Sequence, residues 1–339
     1  MLSTRKYLYP PSQSVILKAT NRLNEYKGGL MLNIKELKKT DLHCHLDGSL
    51  SAITLSHFLH RTPDFSELSV DDSCTSLTEY LKKFDLPLHC LQTKANLELA
   101  AYTFLKELAA DQMKYIEVRF APTLSTQDGL SCEDVIESVL RGLEKGKSET
   151  GIDYNVITCA MRHFAPEQNM QLLDNMEKYV GHGVCALDLA GDESKFPNPL
   201  FHELFEEARH RKIPFVIHSG ETGNVENVRT AMEYGAVRIG HGLALIQDPD
   251  LMQEIARRGI GIEMCPTSNL QTHAIDSWNN YPLDTFLHAG VKVSVNTDNR
   301  TVSNTTMTHE LERIQKLYGS DDIIRQVVKN AEETAFKKL

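Results

Sequence analysis

The 339-residue chain has no C-x-x-C pair, no cluster of lysine and arginine, and no apolar run approaching the roughly 20 residues that cross a bilayer. Each absence removes a class of function. The seven cysteines (Cys44, Cys74, Cys90, Cys132, Cys159, Cys185 and Cys265) are scattered and odd in number, so neither a disulfide framework nor a thiolate zinc site is expected. That usage fits a reducing compartment, and the cytoplasm is the expected location. A net charge of −10 without basic clusters argues against a nucleic-acid binder, because phosphates must be neutralised by grouped cations. Hydrophobic residues at 41% and charged residues at 24% are ordinary for a soluble globular protein, so a small-molecule partner is expected, with no membrane and no nucleic acid.

The first thirty residues carry five basic residues against one acidic and lack the apolar core of a secretory signal. A transit peptide would share that composition. The other reading is that the native chain starts at Met31, since Lys-Gly-Gly just upstream of a methionine is what a purine-rich ribosome-binding sequence encodes when read in frame. Residues 1–34 are therefore expected to be an extension outside the fold. No internal repeat, low-complexity tract or linker divides the remainder, and 35–339 is expected to be a single catalytic domain.

From Lys35 onward, short apolar or β-branched runs alternate with helix-like stretches, the pattern of βα units on a parallel sheet. Eight runs stand out: "KKTDLH", "YIEVRFAP", "YNVITCAM", "GVCALDLAG", "PFVIHSGE", "VRIGHG", "IGIEMCPTS" and "VKVSVNTD". Between them, segments such as "NLELAAYTFLKELAADQM" repeat apolar residues at helical spacing. This predicts an α/β fold, a closed (β/α)₈ TIM barrel, with an open doubly wound sheet as the alternative. The stretch after the first run is too long for one crossover and predicts a helical insertion capping a site.

Residues two apart on a strand share a face, so His43 and His45 of "TDLHCHLDGSL" point together and Cys44 points away. Two imidazoles so placed can grip one cation, though two hydrogen-bonded polar histidines would explain the pair equally well. Other runs also end in ionisable residues: His218 and Glu221 in "VIHSGE", His241 between glycines that let the backbone approach a ligand, and Asp298 in "VSVNTDN". In a barrel all these ends meet on one face, where active sites form. Three histidines and an aspartate suit Zn²⁺ with an open position for water, although Fe²⁺, Co²⁺ or Mn²⁺ could occupy such a set. The implied chemistry is hydrolytic.

In order, "TDLHCHLDGSL", "DLAGDE", "HSGE", "RIGHG", "CPTSN" and "SVNTDN" resemble the adenosine deaminase family of the metal-dependent amidohydrolase superfamily. The similarity runs from about Lys35 to the C-terminus and includes "SLTEYLKKFDL", which looks like the family's helical segment over the purine nucleoside. The resemblance implies zinc-dependent deamination of adenosine and 2'-deoxyadenosine to inosine and 2'-deoxyinosine, in purine salvage. It implies that His43, His45, His218 and Asp298 bind the metal, His45 also touching substrate. It further implies that Glu221 gives a proton to purine N1, that His241 orients and stabilises the hydroxide, that Asp47 contacts ribose, and that the Gly191 N–H reaches purine N3.

One departure stands out. Most members have two successive aspartates where this chain has Asp298-Asn299, the second bonding purine N7. N7 is an acceptor, so an aspartate must be protonated to donate to it, whereas an Asn amide donates at any pH. Asp47 favours a nucleoside over free adenine, for which the family's members usually carry Glu there, and the lack of a Lys/Arg cluster near the motifs beyond Arg300 disfavours AMP. Deamination of adenine, or of a modified nucleoside of the aminodeoxyfutalosine type, is the alternative. Asn299→Asp is expected to keep measurable deamination but to alter its pH dependence; complete loss with the metal retained would show the N7 contact to be misread.

Overall fold

A computed structural model describes residues 32–71, 73–74 and 76–339, and in it each of the eight expected runs forms a strand. They are β1 (Lys39–His45), β2 (Met113–Phe120), β3 (Asp153–Met161), β4 (Val184–Ala190), β5 (Val216–Ser219), β6 (Arg238–His241), β7 (Gly261–Met264) and β8 (Lys292–Val295). All pair in parallel, in the ladders β1-β2-β3-β4 and β5-β6-β7-β8. Two seams join the ladders into a closed barrel, which decides against the open sheet. At the first, the Leu187 N–H donates to Pro214 O at 2.9 Å. At the second, the His45 N–H donates to Asp298 O and the Asp298 N–H to His43 O, both at 2.7 Å. Closing the barrel thus brings the ends of β1 and β8 together directly.

The helices follow from their sequences. Cys132–Thr150, for example, starts at Ser131, whose side chain accepts from the Asp134 N–H while Asp134 reaches back, and stops at Gly151 with φ 73°. Its Val135, Ile136, Val139 and Leu143 are buried on one face, as their helical spacing requires. Every βα unit has such a helix, and no helix among the described residues is long and apolar enough to cross a membrane.

The expected insertion follows β1 as four short helices, Ala52–Leu59, Phe65–Leu68, Leu77–Leu81 and Asp85–Cys90. It is docked on the loop after β8: the Val70 N–H donates to Val302 O (2.9 Å), Ser69 Oγ to Thr301 O (2.6 Å), and Tyr80 Oη meets Ser303 Oγ at 2.6 Å. Ile34–Leu339 form one compact unit, in which Ile34 is already buried. The expectations for a leader and for a start at Met31 lie outside the described residues.

At the β1–β8 seam a side chain replaces a ladder acceptor: the Leu42 N–H donates to Asn296 Oδ1 (2.9 Å), and Asn296 Nδ2 donates to Ser294 Oγ (3.0 Å). Asn296→Ala leaves the buried Leu42 N–H unpaired and is expected to cost about 1–3 kcal/mol, read as a lower denaturation midpoint.

Candidate active site

The barrel ends bring His43, His45, His218 and Asp298 to one point. His45 Nε2 lies 3.2 Å from His218 Nε2, and Asp298 Oδ1 lies 3.4 Å from His43 Nε2 and 3.6 Å from His45 Nε2. Four bonds of about 2.0–2.2 Å in a tetrahedron put ligand atoms roughly 3.3–3.6 Å apart, close to the spacing of these three pairs. His43 Nδ1 donates to Glu263 Oε2 (2.9 Å) and His218 Nδ1 to Asp188 Oδ2 (2.9 Å), so as neutral rings both present a bare Nε2 lone pair to the centre. His43 Nε2 is buried without a hydrogen-bond partner. Lone pairs and a carboxylate converging in a buried space repel one another unless a cation sits among them, so the donor set fits a divalent metal. Cys44 points away, its sulfur 3.4 Å from Ser49 Oγ.

Behind these residues is a buried ladder of charges that the sequence reading passed over. Arg119 bridges Asp188 (2.9 Å) and Glu263 (2.8 Å), Arg238 donates to Glu263 Oε1 (2.6 Å), and the other side of Arg238 meets Glu117. Burial alone would raise the Glu263 carboxyl, but Arg119 and Arg238 outweigh it and hold it well below the usual range. Asp41 accepts the His43 N–H (3.1 Å) on one oxygen and Thr297 Oγ1 (2.6 Å) on the other, tying the β1 end to the segment that carries Asp298. The signal was present: "YIEVRF", "ALDLA" and "GIEM" place charges inside apolar strands at lumen-facing parity.

His241 and Glu221 flank the same point. Asn269 Oδ1 already accepts the Cys265 N–H (3.2 Å) and Tyr281 Oη (3.3 Å), so its Nδ2 faces His241 Nδ1 at 2.9 Å. Nδ1 is therefore an acceptor and the ring hydrogen sits on Nε2, 3.7 Å from Glu221 Oε2. Burial, with His43 nearby, keeps this imidazole neutral. Burial also pushes the Glu221 carboxyl up to about 8, aided by the negative charges of Asp298 and Glu193. His241 and Asp298 have positive φ, 61° and 59°, a strained backbone that recurs at functional sites. The glycines beside His241 make room for neighbouring side chains. A Cβ on Gly240 would lie 3.1 Å from His43 Cε1, and one on Gly242 2.8 Å from Ile262 Cγ2.

A cavity of about 380 Å³ opens from this point. Leu77, Tyr80, Leu81, Phe84 and Leu88 of the insertion give it an apolar wall, and Asp47, Gly191 and Asn299 reach it from β1, β4 and β8. Asp47 Oδ1 is buried and unpartnered, and burial pushes its carboxyl up to about 7. Asn299 Oδ1 is also unpartnered and lies against Gly48, where a Cβ would come within 2.0 Å of it. Arg300 does not line the cavity; it pairs with Asp111 at 3.0 Å.

In Glu263→Gln an amide NH₂ can face His43 Nδ1, turning it into an acceptor and moving the ring hydrogen to Nε2, where a metal would bind. The variant is expected to lose about 10- to 100-fold in metal affinity, measured by competition with a chelator on protein whose fold is checked by circular dichroism.

Residues 38–338 match the family model described as adenosine deaminase. An adenosine deaminase of Enterococcus faecalis is 39% identical over 313 residues, 89% of this chain and 93% of the relative. Among solved structures, a zinc-bound amidohydrolase from B. ambifaria superposes with a TM-score of 0.82 at 21% identity, covering 92% of this chain and 90% of that one. The adenine deaminase of Arthrobacter aurescens gives a TM-score of 0.80 at 21% identity, covering 88% and 94%. The structural likenesses speak for the barrel alone, but the sequence matches span nearly the whole fold, and the chain belongs to the adenosine deaminase family, metal-dependent hydrolases of C–N bonds.

Proposed function

We propose that this protein hydrolyses adenosine and 2'-deoxyadenosine to inosine and 2'-deoxyinosine with release of ammonia, in purine salvage, Ile34–Leu339 working as a single catalytic domain. The observation that carries the reading is a buried carboxyl, Glu221, whose proton affinity burial raises, set beside a cation-demanding donor set on a nucleoside-sized cavity. His43, His45, His218 and Asp298 would hold the metal, and zinc suits three nitrogens and one oxygen without a thiolate. When bound, such a cation lowers the pKa of a water from about 15.7 towards 7 and so supplies a nucleophile at neutral pH.

The protein's own groups do the rest. Glu221, neutral at pH 7, donates its proton to purine N1 and draws electron density from C6. His241, with its hydrogen on Nε2, donates a hydrogen bond to oxygen as negative charge develops there. Asp47 offers an unpartnered oxygen to a ribose hydroxyl, and the Gly191 backbone N–H is the donor for N3. Asn299, its oxygen turned to Gly48, leaves its NH₂ as the donor for N7. His45 lines the cavity and so also meets the substrate. The insertion's apolar side chains take the base and exclude water.

The cavity mouth supports a nucleoside over a nucleotide. Asp47, Asp85 and Asp192 line the cavity, and among the described residues its one Lys or Arg, Lys195, is paired with Asp192 at 2.8 Å. A 5'-phosphate would meet repulsion without a free cation. Seven free cysteines, six of them buried, suit a reducing, cytoplasmic setting.

Metal-loaded protein is expected to convert adenosine and deoxyadenosine, followed by the ultraviolet change from aminopurine to hydroxypurine, and to leave adenine and AMP unchanged. Turnover of adenine alone would overturn the nucleoside reading. Glu221 carries its proton below about pH 8 and loses it above, so kcat should fall as pH rises through that range. Glu221→Gln should lower kcat by about 10²- to 10⁴-fold with metal content unchanged.

A further inference from the structure

Glu193 stands in "DLAGDE", two residues beyond Gly191, yet it does not line the cavity. It is 2% exposed, and all its acceptor capacity is spent on one short stretch of chain. Its Oε2 accepts the Gly220 N–H (2.9 Å) and Asn227 Nδ2 (2.9 Å); its Oε1 accepts the Thr222 N–H (2.6 Å) and Thr222 Oγ1 (3.0 Å). The residue between the two gripped amides is Glu221. We infer that Glu193 is a positioning residue that brackets the backbone on both sides of Glu221 and so sets where the acid's proton is presented; this rests on the proposed function above.

Three observations make this more than a satisfied buried carboxylate. Gly220 has φ 76°, and a Cβ there would come within 2.5 Å of Val228 Cγ2, so the turn carrying Glu221 off β5 is tight and its amides point away from any ladder. Second, the rest of that turn is gripped from the same direction: Arg162 Nη2 donates to His218 O (2.6 Å), and Asn198 Nδ2 donates to Ser219 Oγ (2.8 Å) and to Asn227 O (2.8 Å). Arg162, just after β3, and the segment after β4 thus form a mould for the end of β5, with Glu193 holding the amides on either side of Glu221. Third, among the described residues the Glu221 side chain has only one short contact of its own, from Thr272 Oγ1 at 3.1 Å, so its direction is set mainly by its backbone.

The test is Glu193→Gln on the metal-loaded, full-length protein. Gln places an NH₂ where an acceptor was, so one side of the bracket must open. Amide hydrogen exchange at Gly220 and Thr222 should quicken, while exchange in β1 and β8 and the metal content stay as in the parent. With adenosine as substrate, kcat should fall by up to about 10²-fold, the cost of displacing a reacting group by roughly 1 Å, with KM within about 3-fold. If Glu193 acts through Glu221, adding Glu193→Gln to Glu221→Gln should cost less than about 3-fold more, because groups acting as a unit are not additive. Unchanged exchange at both amides overturns the bracket. So does an equal loss in both backgrounds, or a loss of metal that accounts for the lost rate. If Gln prevents folding, Glu193→Asp keeps the charge, withdraws both oxygens by one methylene and is read in the same way. Failure of the parent to turn over adenosine would overturn the proposed function instead, and the exchange measurement would still decide the bracket.

Discussion

The barrel lumen of this protein is filled by charge, and the candidate site depends on it. Asp188, Arg119, Glu263, Arg238 and Glu117 follow one another across the interior, each buried and each within ion-pair reach of the next. Buried ions are costly to desolvate and add little net stability, even when paired. What this row supplies is direction: two of its carboxylates, Asp188 and Glu263, each take the Nδ1 hydrogen of one histidine. His218 and His43 are left with bare Nε2 atoms aimed at the same point. An apolar lumen would leave those rings free to choose the other tautomer.

Barrel closure and ligand convergence are one event. β1 and β8 meet only near their ends, through the backbone of His43, His45 and Asp298, so the seam that closes the sheet also sets the separation of the proposed ligands. Asp41 and Asn296 hold this seam by side chain where the ladder has no regular bonds. Positive φ at Asp298 and His241 is the local strain of bending a strand end inward while its side chain stays on the lumen axis. The surrounding network over-determines both positions, and strain of this kind persists only where that is so.

Much of this was legible from the chain alone. The eight runs became the eight strands because β-branched and apolar residues flanked by turn formers leave few other conformations, and alternation correctly turned His43 and His45 together with Cys44 away. The insertion was legible as excess length. The second layer was not read, although its residues were in view: Arg119, Asp188 and Glu263 sit in strands already recognised, and a charge in a buried strand needs a partner that one sequence does not name. A glycine signals close approach without saying to what, and only the structure shows that Gly240 and Gly242 give room to His43 and Ile262.

The sequence by itself determined the strand and helix pattern, the parity of the histidine pair, and the order of motifs that marks the family, because those properties are local or follow from spacing along one chain. Only the tertiary structure decided which oxygen meets which nitrogen. The tautomers of His43, His218 and His241 and the grip of Glu193 on Gly220 and Thr222 depend on groups tens to hundreds of residues apart meeting within about 3 Å, the range of a hydrogen bond, and the raised proton affinity of Glu221 depends on its burial. Burial then strengthens each such contact and penalises each unpaired charge, so the chemistry of the site arises from contacts that the barrel makes and the linear order does not contain.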